Sequence, residues 1–310
     1  MSELGGLLRA YREAGGEDAA LADRATAHLM LEGNRIVSMR EVEGFACAAR
    51  ETPEGLDASI RVAEGVRLEK PVHLCFGMLH GGLQHIVLDV RFGRGARASF
   101  LAHCVFPDIS GVGHVMDAEI GLEEGAEMRY SEVHFHGEHE GAEVRPTARV
   151  QVGPRARYFT DFSLTRGRVG DLRIDYVADA RESAVVEMTA RVFGRGRDRI
   201  SIDEKVVLSG ADARSLIKTR VALKDEARGD ITGATEGNAQ GARGHVDCME
   251  IVRDRAVARA VPIVNVSHPG AKITHEAAIG SVDQRQLETL LAHGLTPEEA
   301  VDVIVRGVLR

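Results

Sequence analysis

A strand-sized motif returns at a nearly fixed interval through the middle of this chain, and that period constrains the fold more than any other feature. The units begin GARASFLAHC at Gly95, GAEMRYSEVHFH at Gly125, GPRARYFTDFS at Gly153, ESAVVEMTARV at Glu182 and GADARSLIKTRV at Gly210, at spacings of 30, 28, 29 and 28 residues. A β-solenoid generates such a period, because each coil is a circuit of short strands whose apolar face is buried only when the next coil stacks on it. A β-sandwich places turn signals every ~8–12 residues and does not bring back a similar strand at a longer fixed interval. Composition agrees: 34 of 310 residues are glycine, aromatics make up 4% and tryptophan is absent, which suits close stacking and many sharp turns. The expectation is a mainly β protein with a parallel β-helix core over residues 36–280. Residues one period apart should then stand above one another, about 4.8 Å apart at the backbone.

Helical spacing brackets the repeat. Residues 3–32 space apolar side chains at three and four, with Gly15–Gly16 between two segments and Gly33 as a stop, so residues 1–35 are expected as an N-terminal helical segment. After Ile279 the same period returns. Asp283 with Gln286 fits a capping box ahead of Leu287, Leu290 and Leu291, and Thr296-Pro297-Glu298-Glu299 is a second helix start. Residues 281–310 are therefore expected as a helical hairpin that packs on the solenoid's end or receives a partner.

Several function classes lose support. A formal charge of −8 argues against a general nucleic-acid binder, which draws on concentrated Lys and Arg. No apolar run is long enough to span a membrane and Met1–Ala10 lacks a signal-peptide pattern, so a cytoplasmic protein is expected. There is no P-loop, dinucleotide fingerprint or G-x-S-x-G, so no nucleotide is expected on this chain itself. The four cysteines, Cys47, Cys75, Cys104 and Cys248, include no C-x-x-C pair and should be free thiols.

Chemistry-bearing residues concentrate in three places. The segment His245–Ile279 carries Cys248, His275 and the carboxylates Glu250 and Glu276. Thiolate and imidazole suit a soft metal or an iron–sulfur cluster, and a twofold dimer would double a set too small to hold a cluster alone. A buried cysteine and a hydrogen-bonded histidine is the plainer alternative. Cys248 and His275 are 27 residues apart and Cys104 and His134 are 30 apart, so both pairs are expected as stacked neighbours. His103, beside Cys104, should face the opposite way. In the run His134-Phe-His136-Gly-Glu-His139, the first two histidines share one face, as a metal site or as the lining of an interior polar channel. A β-helix hydrolase or lyase using His134, His136 and Asp161 in a wall groove is a further alternative. The absence of tryptophan and the presence of only four tyrosines count against it, since sugars stack on exposed aromatics.

The C-terminal run CMEIV…AVPIVNVSHPGAKITHEAAIGSVDQRQLETLLAHGLTPEEAVDVIVRGVL carries a long, specific pattern. From about Arg91 onward the chain resembles the SufB/SufD family of the SUF iron–sulfur cluster assembly system. The resemblance implies a right-handed parallel β-helix flanked by helices, acting as a scaffold with SufC, an ABC-type ATPase that binds the C-terminal helical part. Leu287, Leu291, Glu298, Val301, Ile304 and Val305 would then be contact residues. It further implies that a transient cluster is built at Cys248, with His275 and Glu276 facing it across a subunit interface. Cys104 would accept sulfur from a donor protein and pass it along the solenoid, and His134 and His136 would line that path. Because one chain holds both the cysteine and the His-Glu pair, a homodimer is implied, with pairing to a SufB/SufD paralogue or a cluster-free adaptor role for the ATPase as alternatives. Thr274 stands where some relatives have an acidic residue.

Overall fold

The computed structural model describes residues 3–107, 110–138 and 141–309. They form a β-solenoid of about eight turns with short helices at both ends. Two sheets make its walls. The ten-stranded sheet starts with Arg35–Arg40 and His28–Glu32 and continues through Val72–Gly77, Arg97–Phe106, Glu127–His136, Arg157–Arg166, Val185–Gly194, Arg214–Leu223 and Arg243–Val252 to Lys272–Gly280. The nine-stranded sheet ends in Val257–Val266, the partner of Arg228–Gly237. Successive coils pair in parallel, and the two N-terminal pairings, His28–Glu32 with Arg35–Arg40 and Phe45–Glu51 with Leu56–Val62, are antiparallel.

The sequence repeat is the coil. Arg97 registers with Glu127, Glu127 with Arg157, then Val185, Arg214, Arg243 and Lys272 follow down one wall. Strand Val185–Gly194 shows why the chain folds this way: Val186, Met188, Ala190 and Val192 alternate with polar or half-buried residues, and the alternate set points inward and is wholly buried. The coil corner is equally regular. Gly95, Gly125, Arg155, Ser183, Asp212 and Gly241 all take a left-handed φ between 55° and 72°. Each donates its N–H to a carbonyl of the following coil, for example Gly95 to Glu124 and Ser183 to Ala211.

The ends differ from expectation in two respects. Helix α1 (Glu3–Glu13) and the short α2 (Asp18–Ala22) form, but His28–Glu32 is a strand, not the end of a helix. Its HLML run is buried on both faces, by the solenoid interior and by the cluster under α1 that includes Leu7, Tyr11 and Met30. Such a run has no period to separate strand from helix, and pairing with Val72–Gly77 decides it. At the other end α3 (Gln284–Ala292) and α4 (Pro297–Val308) form the expected hairpin, with a complete capping box between Thr296 and Glu299. The hairpin folds back along the outer face of the ten-stranded sheet, where Val301, Val305 and Leu309 cover Ala222 beside Phe193 and Leu287. It therefore does not cap the last coil. No helix among the described residues is long and apolar enough to cross a membrane.

Candidate functional site

Two polar clusters sit inside the solenoid, and each contains one cysteine. The first lies near the C-terminal end. Cys248, Glu250 and Val246 alternate inward along one strand, and Thr219 registers with Cys248 from the coil before. Thr219 Oγ1 donates to Glu204 at 3.1 Å. Glu204 and Glu250 are both buried, and neither carboxylate oxygen of Glu250 has a hydrogen-bond partner. Burial raises both carboxyls to about 7. Burial, with the neighbouring Glu250 and Glu204, pushes the Cys248 thiol up to about 12. Unliganded Cys248 is therefore a thiol, and a ligand that needs the thiolate must displace its proton, for which Glu250 is the adjacent acceptor.

His275 and Glu276 do not both join this cluster. The coil here is 29 residues long, Arg243 registering with Lys272, so Cys248 stacks on Ala277 and His275 stacks on Val246. A spacing of 27 residues falls two short of the register. His275 keeps the inward face but sits one pleat away, about 8 Å from Cys248 at the backbone by strand geometry. Glu276 registers with Asp247 and faces outward. Both are exposed, His275 because no coil covers its inward face and Glu276 because it points to solvent.

The second cluster surrounds Cys104. Its strand partner is His134, as the 30-residue spacing predicts. Glu132 Oε1 lies 3.6 Å from the sulfur and 2.6 Å from His134 Nε2. His134 Nδ1 meets His136 Nε2 at 3.1 Å, and His136 Nδ1 donates to the Arg168 carbonyl at 3.1 Å. From the opposite sheet, His114 brings Nε2 to 3.7 Å from the sulfur, and its Nδ1 lies 2.8 Å from Gln84 Oε1. Burial first, then Glu132, raises the Cys104 thiol well above its ordinary range. Burial lowers His114 to about 3 and His136 well below the usual imidazole value. For Glu132, burial acts upward, but the bond from His134 and the nearby imidazoles outweigh it and the net shift is downward.

Without a ligand Cys104, like Cys248, is held as a thiol by burial. Between the clusters, Tyr130, Tyr158, Thr160, Tyr176 and Glu204 place buried polar groups in the interior, while two columns of the wall that carries both cysteines are mostly apolar. The column that carries Glu132 continues through Phe162, Ala190 and Thr219 to Cys248, and its neighbour through Leu164, Val192 and Val221 to Glu250. The apolar members are packed and buried, over five strand spacings or about 24 Å. His103 faces away from Cys104 and contacts Tyr11 edge-on. Asp161 faces outward and pairs with Arg191, so it does not meet His134 and His136, and the groove-enzyme triad is not assembled. His139 lies outside the described residues.

Of the C-terminal hairpin residues, Val301, Ile304 and Val305 are buried within the chain, Leu287 and Leu291 are half-buried and Glu298 is exposed. The buried three can touch a partner only if the helix undocks. Glu132 was missed in sequence although it shares the inward parity of His134 and His136. Glu204 and His114 carried no such signal, because their neighbours come from the opposite wall.

Residues 79–308 match the family described as SUF system FeS cluster assembly, SufBD core domain. The chain is 35% identical over 282 residues to an iron–sulfur cluster assembly SufBD family protein of Methanocaldococcus jannaschii, covering 91% of this chain and 89% of that one. It is 32% identical over 310 residues to another from Pyrococcus horikoshii, covering 100% and 94%. A stacked-coil fold with an interior cysteine in its penultimate coil, a family match across most of the solenoid and relatives aligned nearly end to end agree: the chain belongs to the SufBD family of iron–sulfur cluster assembly proteins.

Proposed function

We propose that this chain is a scaffold on which an iron–sulfur cluster is assembled at the open end of the solenoid, between two copies of the chain. The observation that carries the reading is the uncovered last coil. Val264, Val266 and Ile279 occupy inward positions of the register, yet are 39%, 47% and 50% exposed. Inward side chains of a solenoid are buried by the next coil, and here a second subunit takes its place. Cys248 lies one coil beneath that face, His275 lies on it, and a twofold partner would bring a second set.

In this reading Cys248 supplies the thiolate, its proton passes to Glu250, and His275 of each copy adds an imidazole from the interface. Sulfur arrives at the open end, where Cys248 lies one coil beneath the surface. A SufC-like ATPase binds the C-terminal hairpin through its exposed face, where Glu298, Val303 and Arg306 lie, and hydrolyses the ATP. The complex works in the reducing cytoplasm, where the four free cysteines stay reduced.

The test is anaerobic reconstitution with ferrous iron and sulfide, read by visible absorption and Mössbauer spectroscopy. Wild type and Cys104→Ser should form a cluster, and Cys248→Ser should form none while keeping its circular dichroism. Equal cluster yield from Cys248→Ser would sink the assignment.

A further inference from the structure

Three potential metal donors converge at Cys104, and His114 approaches its sulfur from the opposite wall. The ligand atoms of Cys104, Glu132 and His134 all lie within 4.8 Å of one another, and His114 Nε2 is 3.7 Å from the sulfur. The tautomers follow from the outer partners. The Arg168 carbonyl can only accept, so His136 carries its proton on Nδ1 and offers Nε2 as an acceptor to His134 Nδ1–H. The Gln84 amide nitrogen donates to the Gly33 carbonyl and, at 3.4 Å, to that of Gly77, so its Oε1 must accept from His114 Nδ1–H. Both imidazoles are thus held by Nδ1 and present Nε2 inward. That is how ligating histidines are oriented: the second ring nitrogen donates to an oxygen or nitrogen acceptor behind it. Glu132 is wholly buried, with the Tyr130 hydroxyl beside it.

We propose that Cys104, His114, Glu132 and His134 form a site for one divalent transition-metal ion of the borderline-soft class, such as Fe2+ or Zn2+, inside the solenoid. One thiolate, two imidazoles and one carboxylate make a four-donor set of the kind these ions take. Charge balances as well: the doubly positive ion with one thiolate and one carboxylate is neutral, which a dry interior requires. On binding, the thiol proton and the proton shared between Glu132 and His134 leave to solvent, and no electron is transferred. The ion reverses the local effect of burial on the thiol, because a coordinated thiol is deprotonated outright. Access runs through His136. It lines a cavity of about 880 Å3 between α1, the strand ends and α4, whose wall carries Glu13, Glu138 and Asp302 as well as Arg166, Arg195 and Arg306. His136 then leads to His134, 3.1 Å away.

The site is separate from Cys248 and does not depend on the cluster-assembly reading, so it is tested without sulfide. The full chain is titrated anaerobically with Co2+, whose bound spectrum reports thiolate ligation and coordination number. Wild type should take one Co2+ per chain with a thiolate-to-cobalt charge-transfer band and strong four-coordinate visible bands. Cys104→Ser should lose the charge-transfer band, and Cys248→Ser should keep it. Gln84→Ala, which frees His114, should weaken binding about ten- to a hundredfold, as outer-shell losses do. Fe2+ and Zn2+ should each displace Co2+. A wild-type protein without the thiolate band, or a band lost with Cys248 but kept without Cys104, would overturn the site. Circular dichroism of each variant separates loss of the ion from loss of the fold.

Discussion

Glu204 shows what a single buried carboxyl does to this molecule. It is fully enclosed, Thr219 is its one hydrogen-bond donor, and burial raises it from an ordinary 4.5 to about 7. The folded state holds a proton that the unfolded chain releases near pH 4.5. This contribution to stability is therefore fully present below about pH 4.5 and is lost as the pH rises through about 7, at a cost of about 3 kcal/mol by pH 8. Glu204→Gln keeps the shape and removes the ionisation. Its Tm should match wild type near pH 4 and exceed it at pH 8, and an equal pH dependence for the two proteins would refute the account.

At the scale of the coil, the corner turn sets how faithfully strands restack. Gly125 sits in the left-handed region at φ 69° with open space where a Cβ would go, so Gly125→Ala should cost only the backbone penalty, about 1–2 kcal/mol. Arg155, Ser183 and Asp212 already bear that penalty at equivalent corners. Gly167 differs: its φ is 79°, and an added Cβ would meet the His136 carbonyl oxygen at 1.9 Å. Gly167→Ala adds a steric clash to the backbone term and should cost roughly 3 kcal/mol or more. Thermal unfolding of the two variants checks the ranking. The hairpin of α3 and α4 was legible as helices from Asp283 and Thr296, whose side chains cap as their spacing predicts. Its docking on Ala222 was not legible, because an apolar helix face does not specify which surface it covers.

For the whole molecule, the decisive feature is that the last coil of the stack is open. Val264→Asp with Ile279→Asp places two charges on the exposed inward face of the last coil. Burying them in an interface would be expensive, so the pair should convert a dimer to a monomer in light scattering and leave circular dichroism unchanged. A monomeric wild type under the same conditions would refute the homodimer. The Cys104 cluster lies far from this end, and the doubled variant should still bind Co2+.

The repeat alone determined the coil, its parallel register and the stacking of Cys104 on His134, because a solenoid ties sequence spacing directly to spatial neighbourhood. Only the tertiary structure decided which residues share a site. A two-residue difference between 27 and the local period of 29 moved His275 off Cys248, and a single pleat turned Glu276 outward and left Glu250 inward. His114 and Gln84 entered the Cys104 cluster from the opposite wall, His114 from 10 residues further on in the chain and Gln84 from 20 residues back. Spacing along one wall reads contacts within that wall, whereas contacts across the interior depend on how the two sheets face each other, and that is settled by packing.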